Sequence, residues 1–236
     1  MNKKIGIFDS GIGGLTTLEE IRRILPNEDY IFYADSKNNP YGEKSIDELN
    51  TITKNIVNKL LAKDVKLIVI ACNTATTQCI NYLRKEFPSM IFVGTEPAIK
   101  VACDNNYKNT LVMATPGTIS SNRTHELIDN NKKEYENIYL VPCDRLANAI
   151  ERNDEKDIDL ILHDNLDKFK NIKIDAVVLG CTHYPIIKDK IQTFFPNSIL
   201  IDGNIGVAKR VKNQLEENNI LSRKKEKGTL EFIQTK

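Results

Sequence analysis

The chain reads as an α/β protein built from two similar α/β units with largely parallel sheets. Three observations carry this reading: short apolar runs alternate with amphipathic stretches, the runs are apolar throughout, and the order of features repeats once along the chain. Strands covered by helices on both faces need no polar side, and parallel neighbours need helical crossovers.

The runs are "KIGIF" at 4–8, "YIFYA" at 30–34, "VKLIVIA" at 65–71, "MIFVG" at 90–94, "TLVMA" at 110–114, "IYLV" at 138–141, "DAVVLG" at 175–180 and "SILI" at 198–201. Between them, 46–62 places Ile46, Leu49, Ile52, Ile56, Leu60 and Leu61 at helical spacing on one face. Residues 205–219 repeat that pattern with Ile205, Val207, Ala208, Val211 and Leu215, and "TLEFI" at 229–233 has strand character. "NEDY" at 27–30 and "DNNYKN" at 104–109 read as turns, and no Pro/Gly/Ser-rich linker divides the chain.

An internal repeat divides it instead. The first half runs a strand into "DSGIGGLT" and later a strand into Cys72; the second runs a strand into "TPGTISS" and later a strand into Cys181. Two copies of one α/β unit would place equivalent loops at the carboxyl ends of their strands, facing each other across a cleft, where open α/β sheets bind ligands. The alternative is one continuous sheet with a chance resemblance between its halves.

Composition narrows the function. Among 236 residues, 41% are hydrophobic, ample for a core, and 33 Lys and Arg against 32 Asp and Glu leave no basic footprint for nucleic acid. The start "MNKKIGIFDSG" lacks the apolar core of a secretory signal, and no run approaches a membrane span. Five cysteines, 72, 79, 103, 143 and 181, without CxxC pairs, point to a reduced cytoplasmic protein with unpaired thiols.

A cysteine between a strand end and a helix sits where unpaired N–H groups and the helix dipole favour a thiolate. With a free pKa near 8.5, ionising a thiol at pH 7 costs about 2 kcal/mol, which such a position offsets in large part. Asn73 and Thr74 follow Cys72, and Thr182 and His183 follow Cys181, giving each thiol polar neighbours. Cys79, Cys103 and Cys143 read as core residues. A phosphatase loop would need an arginine where Gln78 and Ile187 stand, and a zinc site would need closely spaced Cys or His pairs. A Cys–His acyl-transfer dyad with His183 remains possible but leaves Cys72 unused.

"DSGIGGLTTLEEI" is Gly-rich without being GxGxxG or a Walker loop, and it suits close approach to an anion such as a carboxylate. Asp9 beside it then serves an ammonium or a proton partner. "NNPYGEKS" at 38–45 reads as a turn, with Pro40 fixing φ and Gly42 permitting a left-handed residue, and Arg145 and Lys188 read as exposed charges. Two activated thiols, donors for a carboxylate and one acid for an ammonium are the equipment for moving the Cα proton of an amino acid, one base per face.

"IGIFDSGIGGLT", "PYGEKS", "ACNTAT", "ATPGT" and "GCTHYP" resemble, in order, the motifs of cofactor-independent glutamate racemases in the aspartate/glutamate racemase superfamily, over about residues 5–210 and weakly to "TLEFIQT". The resemblance implies two α/β domains related by a pseudo-twofold, the active site in the cleft between them, and neither pyridoxal phosphate nor metal. It implies domains at 1–96 plus 205–236 and at 97–204, the last segment returning to the first domain.

By position, the resemblance makes Cys72 and Cys181 the acid/base pair, Cys72 deprotonating the D enantiomer and Cys181 the L, assisted by Asp9 and His183. Substrate binding falls to Asp9, Ser10, Tyr41, Gly42, Asn73, Thr74, Thr118, Thr182 and His183. Glu151 stands where the family often has a glutamate. A homodimer, no nucleic-acid or membrane partner, and supply of D-glutamate to peptidoglycan are also implied. The chain departs from the pattern at "DSKNNPYG", where Asn38 replaces the usual arginine, and at "CDRLANAIE". Aspartate or another amino acid on the same fold is the alternative substrate, and a non-catalytic amino-acid-binding regulator the alternative class.

Overall fold

The structure is a computed structural model that describes residues 3–134 and 136–236. In chain order the elements are β1 (Lys4–Asp9), α1 (Leu15–Ile24), β2 (Tyr30–Ala34), α2 (Ile46–Leu61), β3 (Val65–Ile70), α3 (Asn73–Glu86) and β4 (Phe92–Gly94). They continue with α4 (Ile99–Asp104), β5 (Asn109–Ala114), α5 (Pro116–Ile119), α6 (Asn122–Asn131), β6 (Asn137–Pro142), α7 (Leu146–Glu151) and α8 (Glu155–Leu166). The last are β7 (Ala176–Leu179), α9 (Lys188–Phe194), β8 (Ile199–Ile201), α10 (Asn204–Glu217) and β9 (Leu230–Gln234).

The chain divides into two compact units, one running to Thr95 and resuming over Asn204–Lys236, the other Glu96–Gly203. In the first, five parallel strands lie in the order β4-β3-β1-β2-β9; in the second, four parallel strands lie in the order β6-β5-β7-β8. Read from the opposite edge, the second order is β8-β7-β5-β6, which matches β4-β3-β1-β2 strand for strand. The sequence repeat is therefore a repeat of topology, and β9 is the addition that makes the first sheet larger.

The interior strands of each sheet are buried on both faces, which is why they are apolar along their length; the edge strand β9 alternates between exposed and half-buried positions. In β1 and β3, Ile5, Ile7, Leu67 and Val69 pack toward α1 and α10, while Phe8, Ile68 and Ile70 pack toward α2 and α3. In the second unit, Leu111, Met113, Val177 and Leu179 face α7, α8 and α9, and Val112, Ala176 and Val178 face α4. Each fully buried aliphatic side chain contributes about 1.5–3 kcal/mol of transfer free energy, so these layers supply the main driving force for both units.

Two sequence expectations need correction here. Ile46 is 54% exposed although it lies on the apolar stripe of α2, because it is the first helical residue and projects past the packed face; Ile205, the second residue of α10, is exposed as well. Gly42 sits inside a 3-10 turn over Tyr41–Glu43, and no described glycine has positive φ. The turn at 38–45 is shaped instead by a cis Asn39–Pro40 bond and by the Ser45–Glu48 capping box that opens α2.

Candidate active site

In the first unit, β1 and β3 are adjacent parallel strands with Phe8 opposite Ile70, so Asp9 and Cys72 leave the same edge of the sheet. Cys72 is the N-cap of the 14-residue helix α3, extended at φ −73° and ψ 122°. Its thiol is thus held at the positive end of the helix dipole, a position that favours negative charge. It is 5% exposed, and its Sγ lies 3.8 Å from Ser10 Oγ. Asn73 and Thr74, in the first turn of α3, are buried beside it.

The Gly-rich loop does its work first on the protein itself. Gly11 N and Gly14 N donate to Asp9 Oδ2 at 3.2 and 3.0 Å, so the loop wraps a fully buried carboxylate of its own chain. A Cβ on Gly14 would stand 2.7 Å from Asp9 Cβ and 2.9 Å from Ala71 Cβ, closer than side-chain carbons approach. The glycine lets α1 start against the ends of β1 and β3, and it sets the direction in which Asp9 points.

Tyr41 and Gly42 arrive from the loop between β2 and α2. The Tyr41 hydroxyl donates to Asp35 Oδ2 at 2.7 Å, and Asn38 Nδ2 donates to the same oxygen at 2.8 Å. Burial and then the Asp35 charge hold the Tyr41 phenol well above its usual pKa, so it acts as a donor. The side chain of Asn38, at the position of the family's arginine, is therefore engaged with the protein's own carboxylate.

The second unit repeats the placement with different auxiliary groups. β5 and β7 are adjacent, and their ends deliver Thr115 and Cys181 as β1 and β3 deliver Asp9 and Cys72. Thr115 caps α5, its hydroxyl 3.0 Å from the hydroxyl of buried Thr118. Gly180 N donates to Met113 O at 2.7 Å, continuing the β5–β7 ladder, and a Cβ there would meet that carbonyl at 2.8 Å, so only glycine fits just before the thiol.

No α-helix follows Cys181 directly. The chain forms a 3-10 turn over Tyr184–Ile187, with Pro185 in its first positions, before α9 begins at Lys188. The expected helix terminus is thus present at Cys72 and absent at Cys181. Cys181 has a different neighbour: its Sγ lies 3.8 Å from His183 Nδ1, and His183 Nε2 lies 2.5 Å from Glu151 Oε2. His183 is 1% exposed, and Thr182 is buried beside it.

Every residue expected at the site is at the carboxyl edge of its own sheet, or in the loop or first helical turn that follows: Asp9, Ser10, Tyr41, Gly42, Cys72, Asn73 and Thr74 in the first unit, Thr118, Cys181, Thr182 and His183 in the second. The remaining thiols are of another kind. Burial raises Cys79 and Cys103 to about 11 and Cys143 to about 12, as befits core residues. Among the described residues no cysteine is in a disulfide, and no helix is long and apolar enough to cross a membrane. Sequence reasoning missed Asp35, whose carboxylate organises the 35–42 loop; three donors on one buried acid leave no mark in a single sequence.

Comparison with known proteins agrees with this arrangement. The model of the Asp/Glu/Hydantoin racemase family matches residues 6–210. A glutamate racemase of Clostridium botulinum strain Alaska E43 is 40% identical over 236 residues, spanning 98% of this chain and 91% of that protein. The crystal structure of a glutamate racemase from Francisella tularensis in complex with D-glutamate aligns with a TM-score of 0.86 at 33% identity, over 100% of this chain and 89% of that one. The Escherichia coli glutamate racemase in complex with L-glutamate and the activator UDP-MurNAc-ala aligns with a TM-score of 0.79 at 32% identity, over 91% and 83%. With the fold, the motif order and these relatives in agreement, the chain belongs to the Asp/Glu/Hydantoin racemase family and is an isomerase.

Proposed function

We propose that the protein interconverts L- and D-glutamate without a cofactor, using Cys72 and Cys181 as its two acid/base groups. The observation that carries the reading is the matched placement of the thiols, each following an interior parallel strand at the carboxyl edge of its own sheet and each beside polar groups. The glutamate complexes of the Francisella tularensis and Escherichia coli relatives support the substrate.

The chemistry follows from proton accounting. A thiolate on one face of Cα removes the proton and becomes a thiol; the thiol on the other face protonates the carbanion and becomes a thiolate. The product has the opposite configuration, and the enzyme is ready for the reverse reaction. Following the family pattern, Cys72 takes the proton from D-glutamate and Cys181 from L-glutamate. Asp9 and His183 assist them, and Ser10, Tyr41, Gly42, Asn73, Thr74, Thr118 and Thr182 hold the substrate.

The D-glutamate would serve peptidoglycan synthesis, in keeping with an Escherichia coli relative whose activator carries the peptidoglycan sugar N-acetylmuramic acid. Work in a reducing cytoplasm, as a homodimer, completes the proposal; thiols that must ionise and reprotonate need to escape oxidation. The direct test is chiral chromatography of purified protein incubated with L-glutamate and no added cofactor. Accumulation of D-glutamate to equality is expected, and faster turnover of L-aspartate in the same assay would overturn the choice of substrate.

A further inference from the structure

We propose that Thr235 is a positioning residue for the substrate loop. The proposal rests on the reading above that the loop carrying Tyr41 and Gly42 holds the amino acid. The loop leaves β2 at Ala34 and is organised around Asp35, whose carboxylate is 2% exposed. Tyr41 and Asn38 donate to one oxygen of that carboxylate, and the Thr235 hydroxyl donates to the other at 3.0 Å.

Thr235 belongs to the strand that joins the first sheet from the far end of the chain. β9 pairs in parallel with β2, with Ala34 opposite Gln234, and the pairing continues beyond the strand. Thr235 N donates to Ala34 O at 3.0 Å, Lys37 N donates to Thr235 Oγ1 at 2.9 Å, and Gln234 Nε2 donates to Ser36 Oγ at 3.0 Å. Residues 34 to 37 are thus each held by Gln234 or Thr235, at the base of the loop.

The side chain matters separately from the strand. Any residue at 235 could supply the backbone bond to Ala34, but a hydroxyl is needed to accept from Lys37 N and donate to Asp35 at once. Valine has the same branched shape and does neither. In a Thr235→Val variant, Asp35 loses one of three side-chain donors and Lys37 N its acceptor, so the loop loses its fixed orientation while the thiols are untouched.

The experiment is steady-state racemisation of glutamate by Thr235→Val, Thr235→Ser and Asp35→Asn, with thermal unfolding of each. Thr235→Val is expected to raise KM about fivefold, the net weight of one ordinary hydrogen bond, with kcat within about twofold of the parent. Thr235→Ser, which restores the hydroxyl, is expected to bring KM back. An unchanged KM in Thr235→Val overturns the proposal, as does a parallel loss of kcat and thermal stability that serine does not rescue. Asp35→Asn locates the failure: a raised KM there keeps the substrate loop and removes only Thr235, while an unchanged KM removes the loop's part in binding.

Discussion

His183 Nε2 lies 2.5 Å from a carboxylate oxygen of Glu151, while the other ring nitrogen lies 3.8 Å from Cys181 Sγ. The imidazole therefore stands between the thiol and a carboxylate, with Glu151 at the last turn of α7 as the fixed end. A proton on Nε2 is held by the carboxylate, which decides what Nδ1 can offer the sulfur. Cys72 has a helix terminus and a serine hydroxyl beside it.

Replacing Glu151 with Gln keeps the shape and removes the charge. We expect kcat/KM for glutamate to fall about 100-fold, the low end of what one positioned acid/base group contributes, with the melting temperature little changed. The pH profile of kcat/KM is the second readout: its shape should change in the variant, because the carboxylate in contact with His183 Nε2 has gone. An unaltered profile and rate would confine the Glu151 contact to packing.

Cys72→Ala and Cys181→Ala are each expected to lower racemisation by at least about a thousandfold, since a two-base inversion fails when either face loses its proton carrier. Deuterium exchange at Cα in heavy water separates the half-reactions. Cys181→Ala should retain slow exchange of D-glutamate through Cys72, and Cys72→Ala slow exchange of L-glutamate through Cys181. Full racemisation by either single variant would refute the mechanism.

The segment that brings in β9 is clamped by Glu28 and Asp29 at the start of β2. Ser222 N donates to Glu28 Oε1 at 2.6 Å, Lys66 Nζ lies 2.6 Å from Glu28 Oε2, Thr229 donates to Asp29 from both N and Oγ1 at 2.9 Å, and Lys224 pairs with Asp29. The Lys224 hydrogen bond, followed by that from Thr229 N, lowers Asp29 from 3.8 to about 2. A depressed carboxylate stabilises the fold above its unfolded pKa, and that stability is lost as pH falls through the folded pKa. Asp29→Asn is therefore expected to be less stable than the parent at pH 7 and to show a flatter loss of stability from about pH 4 to pH 2, measured by urea unfolding at each pH.

The likeness of the two units is one of backbone more than of chemistry. Strand order repeats between the two sheets, and both thiols follow the equivalent strand. At the equivalent neighbouring strand end, however, the first unit has buried Asp9, gripped by two glycine N–H groups, and the second has Thr115 capping a four-residue helix.

Much of this was legible in the chain. Parallel strands buried on both faces must be apolar along their whole length, so the interior strands and the repeat of features along the chain could be read directly, as could the two cysteines that follow the third and seventh strands. The motifs placed all the expected site residues near the carboxyl edges of their sheets, because a strand end and the loop after it are local in sequence. What the tertiary structure alone decided depends on residues far apart in the chain: Glu151 on His183, Thr235 on Asp35, and the tail on Glu28 and Asp29. Local pattern determines which face a side chain takes and where a strand stops. Which distant donor meets a buried acid is settled only when the strands pair, since a hydrogen bond is made at about 3 Å and a sequence carries no distances.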